Sequence, residues 1–252
     1  MKIRPVIDMI NWKLYFILLL IAVVLSMLAA PYLLYILRNL NNGIPPMALE
    51  KTGELLLKNL ITYMLVIGFG LFLSARVNIG FPQKVLRWAD TKDIFLISAM
   101  AGVLIAVFIF ACNYFVTIIM VGMVGKFSIW WLSLFNYIMD AVNKELIFRL
   151  FFLSMTVWLF TYVFNKKDDG SISDVCIWFS IIVASFMVAA LPLPAIAKNE
   201  TLTPLLVGKI LVVGGGTSII FGWLYWKKGL LSSITAHLTA NIILFFLAAC
   251  IK

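Results

Sequence analysis

Residues 94–124 read IFLISAMAGVLIAVFIFACNYFVTIIMVGMV, with no Asp, Glu, Lys or Arg among them. A helix rises 1.5 Å per residue and needs roughly 20 apolar residues to cross a hydrocarbon core, so this segment alone is long enough to span a bilayer. Six further runs are nearly free of charge: residues 14–37, 60–75, 146–164, 175–197, 205–225 and 230–251. The run 60–75 is the shortest and the least secure as a full span. Inside a bilayer the backbone must satisfy its own hydrogen bonds, which leaves helices or a closed barrel. These runs are continuous rather than alternating in polarity, which selects helices. Composition agrees: 63% of the 252 residues are apolar, 12% are charged, and the mean hydropathy is +1.07. A soluble domain is about half apolar and a quarter charged. The expected fold is all-α: a polytopic membrane protein built as a bundle of about seven transmembrane helices.

Lys2, Arg4 and Lys13 precede the first run as they would in a secretory signal. That run is too long for a signal core and ends without a small-x-small cleavage site, so a retained helix is expected. With the N-terminus inside, the cytoplasmic segments hold Lys2, Arg4, Lys13, Arg76, Lys84, Arg87, Lys92, Lys166, Lys167, Lys227 and Lys228. The opposite side holds Arg38, Lys51, Lys58, Lys126, Lys198, Lys209 and Lys252. The excess favours a cytoplasmic N-terminus. The net charge of +9 is then an anchoring signal. No basic cluster is dense enough to bind nucleic acid.

The segments between runs are short. Residues 41–58 read as a polar loop with Asn42-Gly43 and Pro45-Pro46 as breakers. Residues 76–93 fit an interfacial helix and an ordinary cytoplasmic loop equally well. Residues 166–170, KKDDG, form a turn. Pro192 and Pro194 kink or end the fifth helix, since they lack an amide donor. Gly214-Gly215-Gly216 reads as a close helix contact; no strand precedes it and no Lys-Ser/Thr follows, which argues against a nucleotide loop. Cys112, Cys176 and Cys250 show no metal spacing and read as small buried hydrophobes. With a single histidine, the chain offers too few ligands for a stable zinc site, and no cofactor is expected.

Ionisable groups at membrane depth are costly and mark function by default. Here they concentrate in two places. Asp140, Lys144, Glu145 and Arg149 precede and enter the run 146–164. Asp140 with Lys144, and Glu145 with Arg149, are each spaced i,i+4, so each pair shares a helix face and can neutralise itself. That spacing suits a purely structural role as well as a site. His237 and Asn241 have the same spacing on the last helix. They suit either a hydrogen-bonded packing role or two donors converging on one oxygen, as in an oxyanion hole. The hydroxyls of Ser232, Ser233, Thr235 and Thr239 readily bond their own helix backbone.

These motifs resemble those of the CAAX protease and bacteriocin-processing (CPBP, or Abi) family of intramembrane proteases, typified by the type II CAAX prenyl endopeptidases. That family carries Glu-Glu-x-x-x-Arg, then Phe-x-x-x-His, then His-x-x-x-Asn or Asp. Here the first motif reads Lys144-Glu145-Leu146-Ile147-Phe148-Arg149 and the second Phe186-Met187-Val188-Ala189-Ala190. The third reads His237-Leu238-Thr239-Ala240-Asn241, approached through residues 221–230, FGWLYWKKGL. The resemblance covers roughly residues 90–250. It implies a core at residues 94–252, preceded by a two-helix membrane region at residues 1–93 with a cytoplasmic interfacial segment. It also implies a prokaryotic plasma membrane, and catalytic positions at Glu145, His237 and Asn241, with Arg149 and Asp140 in structural ion pairs.

Two departures matter. In the family, the first Glu of motif one and the His of motif two activate the attacking water; the matching positions here are Lys144 and Ala190. A lysine ammonium has no lone pair to take a proton, and alanine has no polar atom. Glu145 is expected to point about 100° away from the position of the missing base, out of the same cavity. The resemblance therefore implies a catalytically inactive binding, immunity or assembly protein in contact with lipid and with a peptide or protein of unknown identity. The alternatives are an active peptidase using Glu145 and His237, or a chain with inactivating substitutions at residues 144 and 190. A small transporter is disfavoured, because a single polar cluster describes a site rather than a path.

Overall fold

The computed structural model describes residues 10–40, 48–80, 88–117, 130–164, 171–198 and 201–250, and among them every regular element is helical. In chain order these are α1 (Trp12–Leu40), α2 (Ala48–Val77), α3 (Trp88–Thr117) and α4 (residues 130–160). Then follow α5 (Asp174–Ala190), the single turn α6 (Leu193–Ile196), α7 (residues 204–228) and α8 (Leu230–Cys250). Among the described residues, six of the long helices are apolar enough to cross a membrane: α1, α2, α3, α5 running on into α6, α7 and α8. The seventh, α4, carries the polar cluster. The chain is thus an all-helical polytopic membrane protein.

Local sequence explains the helix boundaries. Ser173 caps α5 by accepting from the Cys176 amide at 3.2 Å, and Thr203 caps α7 by accepting from Leu206 at 3.2 Å. Pro204 follows at the first helical position, where no amide donor is needed. Gly229 ends α7 with φ of 95° and donates to the carbonyls of Leu224 and Tyr225. After Ala190 the chain breaks at Leu191-Pro192, as the two prolines require.

Three expectations change. Residues 48–58, read as loop, are the first turns of α2, because ALEKTGELLLK is rich in strong helix formers. This lengthens the doubtful second span to 26 residues, Thr52–Val77. The helix α4 starts at Trp130, well before the apolar run at residue 146, so the polar cluster lies in mid-helix. Of the cysteines, Cys176 is buried and Cys112 only half-buried. The turn at 166–170 and residues 81–87 of the interfacial segment lie outside the described residues, as does the burial of Cys250.

The bundle has two apolar cores. The larger joins α1, α2, α4, α5, α7 and the start of α8 through residues such as Ala22, Ile67, Leu146, Leu150, Ile181 and Tyr225. The smaller, of Ile105, Ala106, Phe221, Leu224, Ala236 and Ala240, joins α3, α7 and α8. Large apolar side chains also cover the outside, among them Phe16, Leu20, Phe69, Leu104 and Met187. A surface this apolar suits hydrocarbon rather than water.

Because lipid is as apolar as the core, helices associate in a membrane through close packing and interhelical hydrogen bonds. Both operate here. The Ser98 and Ser232 hydroxyls meet at 2.6 Å between α3 and α8. Gly102 lies directly on the Ala236 carbonyl and the Thr239 side chain. The expected role of the glycine run also holds: Gly214 lies against Ala189, and Gly215 against the Phe186 ring.

One turn fixes the start of α8. Gly80, with φ of 84°, accepts from the Leu230 amide at 2.8 Å, and the buried Tyr225 ring packs directly on its Cα. The Tyr225 hydroxyl bonds Ser154 at 2.9 Å, and Ser74 bonds the Ile79 carbonyl of the same turn. A β-carbon at residue 80 would overlap the tyrosine ring in a backbone conformation that disfavours side chains. Gly80→Ala should cost about 3 kcal/mol, read as a lowered thermal unfolding midpoint in detergent, whereas Gly53→Ala, which meets open space, should stabilise slightly or leave it unchanged.

Candidate functional site

The helix α4 brings Glu145 and Arg149 to the bundle interior, with Tyr137, Asp140 and Lys144 towards its margin, opposite α8 with His237 and Asn241. At Leu146 the helix widens into a π-helical stretch that runs to Leu153 and carries Arg149. A second π-helical turn, Leu211–Gly215, lies in α7. Such bulges inside helices often mark functional sites, and these two border one cavity. Its volume is about 610 Å³. Lys144, Glu145, Arg149, His237 and Asn241 line it on the polar side, and Ile105, Ile109, Phe148, Val188, Ile210 and Val213 on the apolar side.

The deepest group is Glu145, 1% exposed. Its Oε1 lies 2.8 Å from His237 Nδ1, and its Oε2 3.6 Å from Arg149 Nε. A carboxylate has no hydrogen to give, so Nδ1 donates, and in the neutral form of the ring the lone pair lies on Nε2. The imidazole stacks on Phe221, with centroids 4.6 Å apart and planes 11° apart. Arg149, 3% exposed, donates through Nη2 to the Ser218 carbonyl at 3.1 Å and to its hydroxyl at 2.9 Å. Arg149 Nη1 has no acceptor among the described residues.

Nearer the mouth, Lys144 Nζ contacts Asp140 Oδ2 at 2.8 Å, with both side chains partly exposed. Asn241 Nδ2 donates to the Tyr137 carbonyl at 3.0 Å and approaches Asp140 Oδ2 at 3.5 Å. The two i,i+4 spacings on α4 thus form ion pairs of different kinds, one buried and one at the rim.

Some expected geometry is absent. Lys144 and Glu145 both line the cavity, although the Lys144 side chain is half-exposed and Glu145 is buried. His237 Nδ1 is turned to Glu145 and the Asn241 amide to the Tyr137 carbonyl, both on α4. Ala190 does not line the cavity, although its neighbours Val188, Ala189 and Leu191 do. Phe186 is also outside it, resting on Gly215. Sequence reasoning missed Ser218, the acceptor for Arg149. Its place two residues after the glycine run, where the backbones come close, was the available signal.

With the geometry in place, comparison with known proteins adds a family. Residues 125–243 match the family described as Type II CAAX prenyl endopeptidase Rce1-like. The stretch spans α4 to α8 and holds every polar residue of the cavity, so over these residues the chain is similar to that family. No curated protein and no solved structure gives a significant match.

The two ion pairs should respond differently to mutation. Glu145→Ala strands the buried Arg149 and should cost about 3–5 kcal/mol. Asp140→Ala at the half-exposed rim should cost under about 1 kcal/mol. Thermal unfolding of the two variants in the same detergent checks the contrast, and equal losses would contradict the assigned depths.

Proposed function

We propose that this protein is a catalytically inactive member of the CAAX protease family that uses the cavity to bind a membrane-associated peptide or protein, in an immunity or assembly role. The observation that carries this reading is the state of residue 144. Where the family resemblance places the water-activating Glu, an ammonium stands instead, held by Asp140 at 2.8 Å. The remaining carboxylate, Glu145, is hydrogen-bonded to His237 on one oxygen and ion-paired with Arg149 at 3.6 Å on the other, which suits holding the scaffold rather than moving a proton. Ala190 supplies no polar atom at the position of the second catalytic group. An N-terminus on the cytoplasmic face of a prokaryotic membrane belongs to the same reading, supported by the distribution of Lys and Arg.

One observation favours a second reading. Glu145 orients His237 as an acidic residue orients the histidine base of a hydrolase, with a lone pair left on Nε2. An active peptidase would then use His237 as base and Glu145 as its support.

Purified protein in proteoliposomes, incubated with prenylated and leader-bearing peptides, separates the two. No cleavage is expected, and Lys144→Glu with Ala190→His should raise turnover above background. A positioned general base contributes about 10²–10⁴ in rate, so any gain should be large enough to detect. Cleavage by the unaltered chain that Glu145→Gln abolishes would establish the second reading.

A further inference from the structure

Away from the cavity, four helix ends meet at one level of the bundle. The apolar spans of α2 and α7 end at Val77 and Lys228, and those of α3 and α8 begin at Lys92 and Leu230. The Leu230 amide on the Gly80 carbonyl ties the end of α2 to the turn between α7 and α8. The helix α3 runs parallel to α8, since Ser98 meets Ser232 and Gly102 meets Ala236 at the same offset. That register carries Lys92 about one turn beyond the start of α8. Arg76 stands in the last turn of α2, and Lys227 and Lys228 in the last turn of α7. These three cations and Lys92 therefore gather at one corner.

Arg76, Lys92 and Lys227 are exposed and Lys228 is half-buried. No carboxylate among the described residues forms an ion pair with any of the four. Asp93 and Asp174 are the described carboxylates at this end, so positive charge is in excess. Lys227 Nζ lies 3.4 Å from the centroid of the Trp226 ring, and Trp226 meets Trp178 edge-on with centroids 6.0 Å apart. Indole rings favour the boundary between hydrocarbon and water, which sets this corner at the depth of lipid headgroups. On its hydrocarbon side, Phe95 and Leu96 of α3 and Leu231 of α8 are exposed. A water-soluble anion would engage the cations and leave that apolar surface unused. A phospholipid engages both, with its phosphate among the ammonium and guanidinium groups and its acyl chains along the apolar side chains. We infer that the α2–α3–α7–α8 corner binds a phospholipid with a net negative headgroup, selected by Arg76, Lys92, Lys227 and Lys228. The inference does not depend on what the cavity holds or does.

The test uses the full chain in a non-ionic maltoside detergent, mixed with equal amounts of phosphatidylglycerol and phosphatidylcholine of the same acyl chains. Native mass spectrometry reads the lipid retained. A Lys or Arg at an anionic lipid surface raises affinity about fivefold, so a preference for phosphatidylglycerol of about tenfold or more is expected. Lys227→Gln with Lys228→Gln should lower that preference about fivefold or more, while Lys227→Arg with Lys228→Arg should keep it. Lys198→Gln with Lys209→Gln removes the same charge from the other end of the bundle, since Lys209 precedes Lys227 on α7 by eighteen residues, or about 27 Å. That control pair should leave the preference unchanged. If the Lys227 and Lys228 Gln pair fails to unfold cooperatively, Arg76→Gln decides, with a loss of about fivefold expected and no loss overturning the inference. No preference in the unaltered chain also overturns it. Equal losses in the two Gln pairs would show that net charge alone draws the lipid, and would overturn it as well. Release of the bound phosphatidylglycerol by excess glycerol 3-phosphate would make the ligand a soluble phosphate and overturn its assignment to lipid.

Discussion

A carboxylate with almost no exposure, set among membrane helices, governs this structure. Glu145 can sit there only because it is met on both oxygens, by Arg149 from its own helix and by His237 from α8. Taking such a charge out of water costs several kcal/mol even after relaxation, and the attraction of its partners must offset that cost. Each partner is itself supported. The imidazole stacks on Phe221 and the guanidinium bonds Ser218, both on α7. One buried charge therefore fixes the mutual positions of α4, α7 and α8, where apolar surface alone would let helices slide in lipid.

Close contacts around that charge restrict how the bundle can move. The helix α8 is held at its start by the Leu230 amide on the Gly80 carbonyl, and along its length by the contact of Gly102 with Ala236 and the Ser98–Ser232 bond. His237 lies one residue beyond Ala236, so the packing that seats α8 on α3 also sets the depth of the imidazole. The glycines of α7 do the same on the other side of the cavity, letting α5 approach closely enough for Ala189 to form its wall. The cavity is what remains between elements fixed for other reasons.

How much of this was legible in the sequence depends on the kind of physics involved. The helical membrane class was plain, because a charge-free run such as residues 94–124 has few alternatives in any solvent. The pairing of Asp140 with Lys144 and of Glu145 with Arg149 was legible from spacing, since both partners lie on one helix. The partnership of Glu145 with His237 was not, because it joins residues 92 positions apart and spacing carries no information across helices. The start of α4 was hidden for a different reason: an apolar run marks where lipid or core begins, whereas a helix continues wherever its backbone bonds do, so residues 130–145 were helical without being uniformly apolar. The π-helical turns left no mark in the composition at all.

The charge count explains why a lysine at residue 144 is compatible with this architecture. With Lys144, the polar cluster holds two carboxylates, Asp140 and Glu145, and two cations, Lys144 and Arg149, and it is neutral when the imidazole is neutral. A glutamate at the same position would leave Asp140, residue 144 and Glu145 facing Arg149 alone. Three carboxylates around one guanidinium must share protons, recruit a further cation or protonate the imidazole, and such coupled, unsettled protonation is what acid–base chemistry uses. The lysine removes that instability at the rim and leaves the deep Glu145–Arg149–His237 network as it is. On the binding reading we propose, a scaffold that would be poised for proton transfer with a glutamate becomes, with a lysine, one organised to hold a ligand.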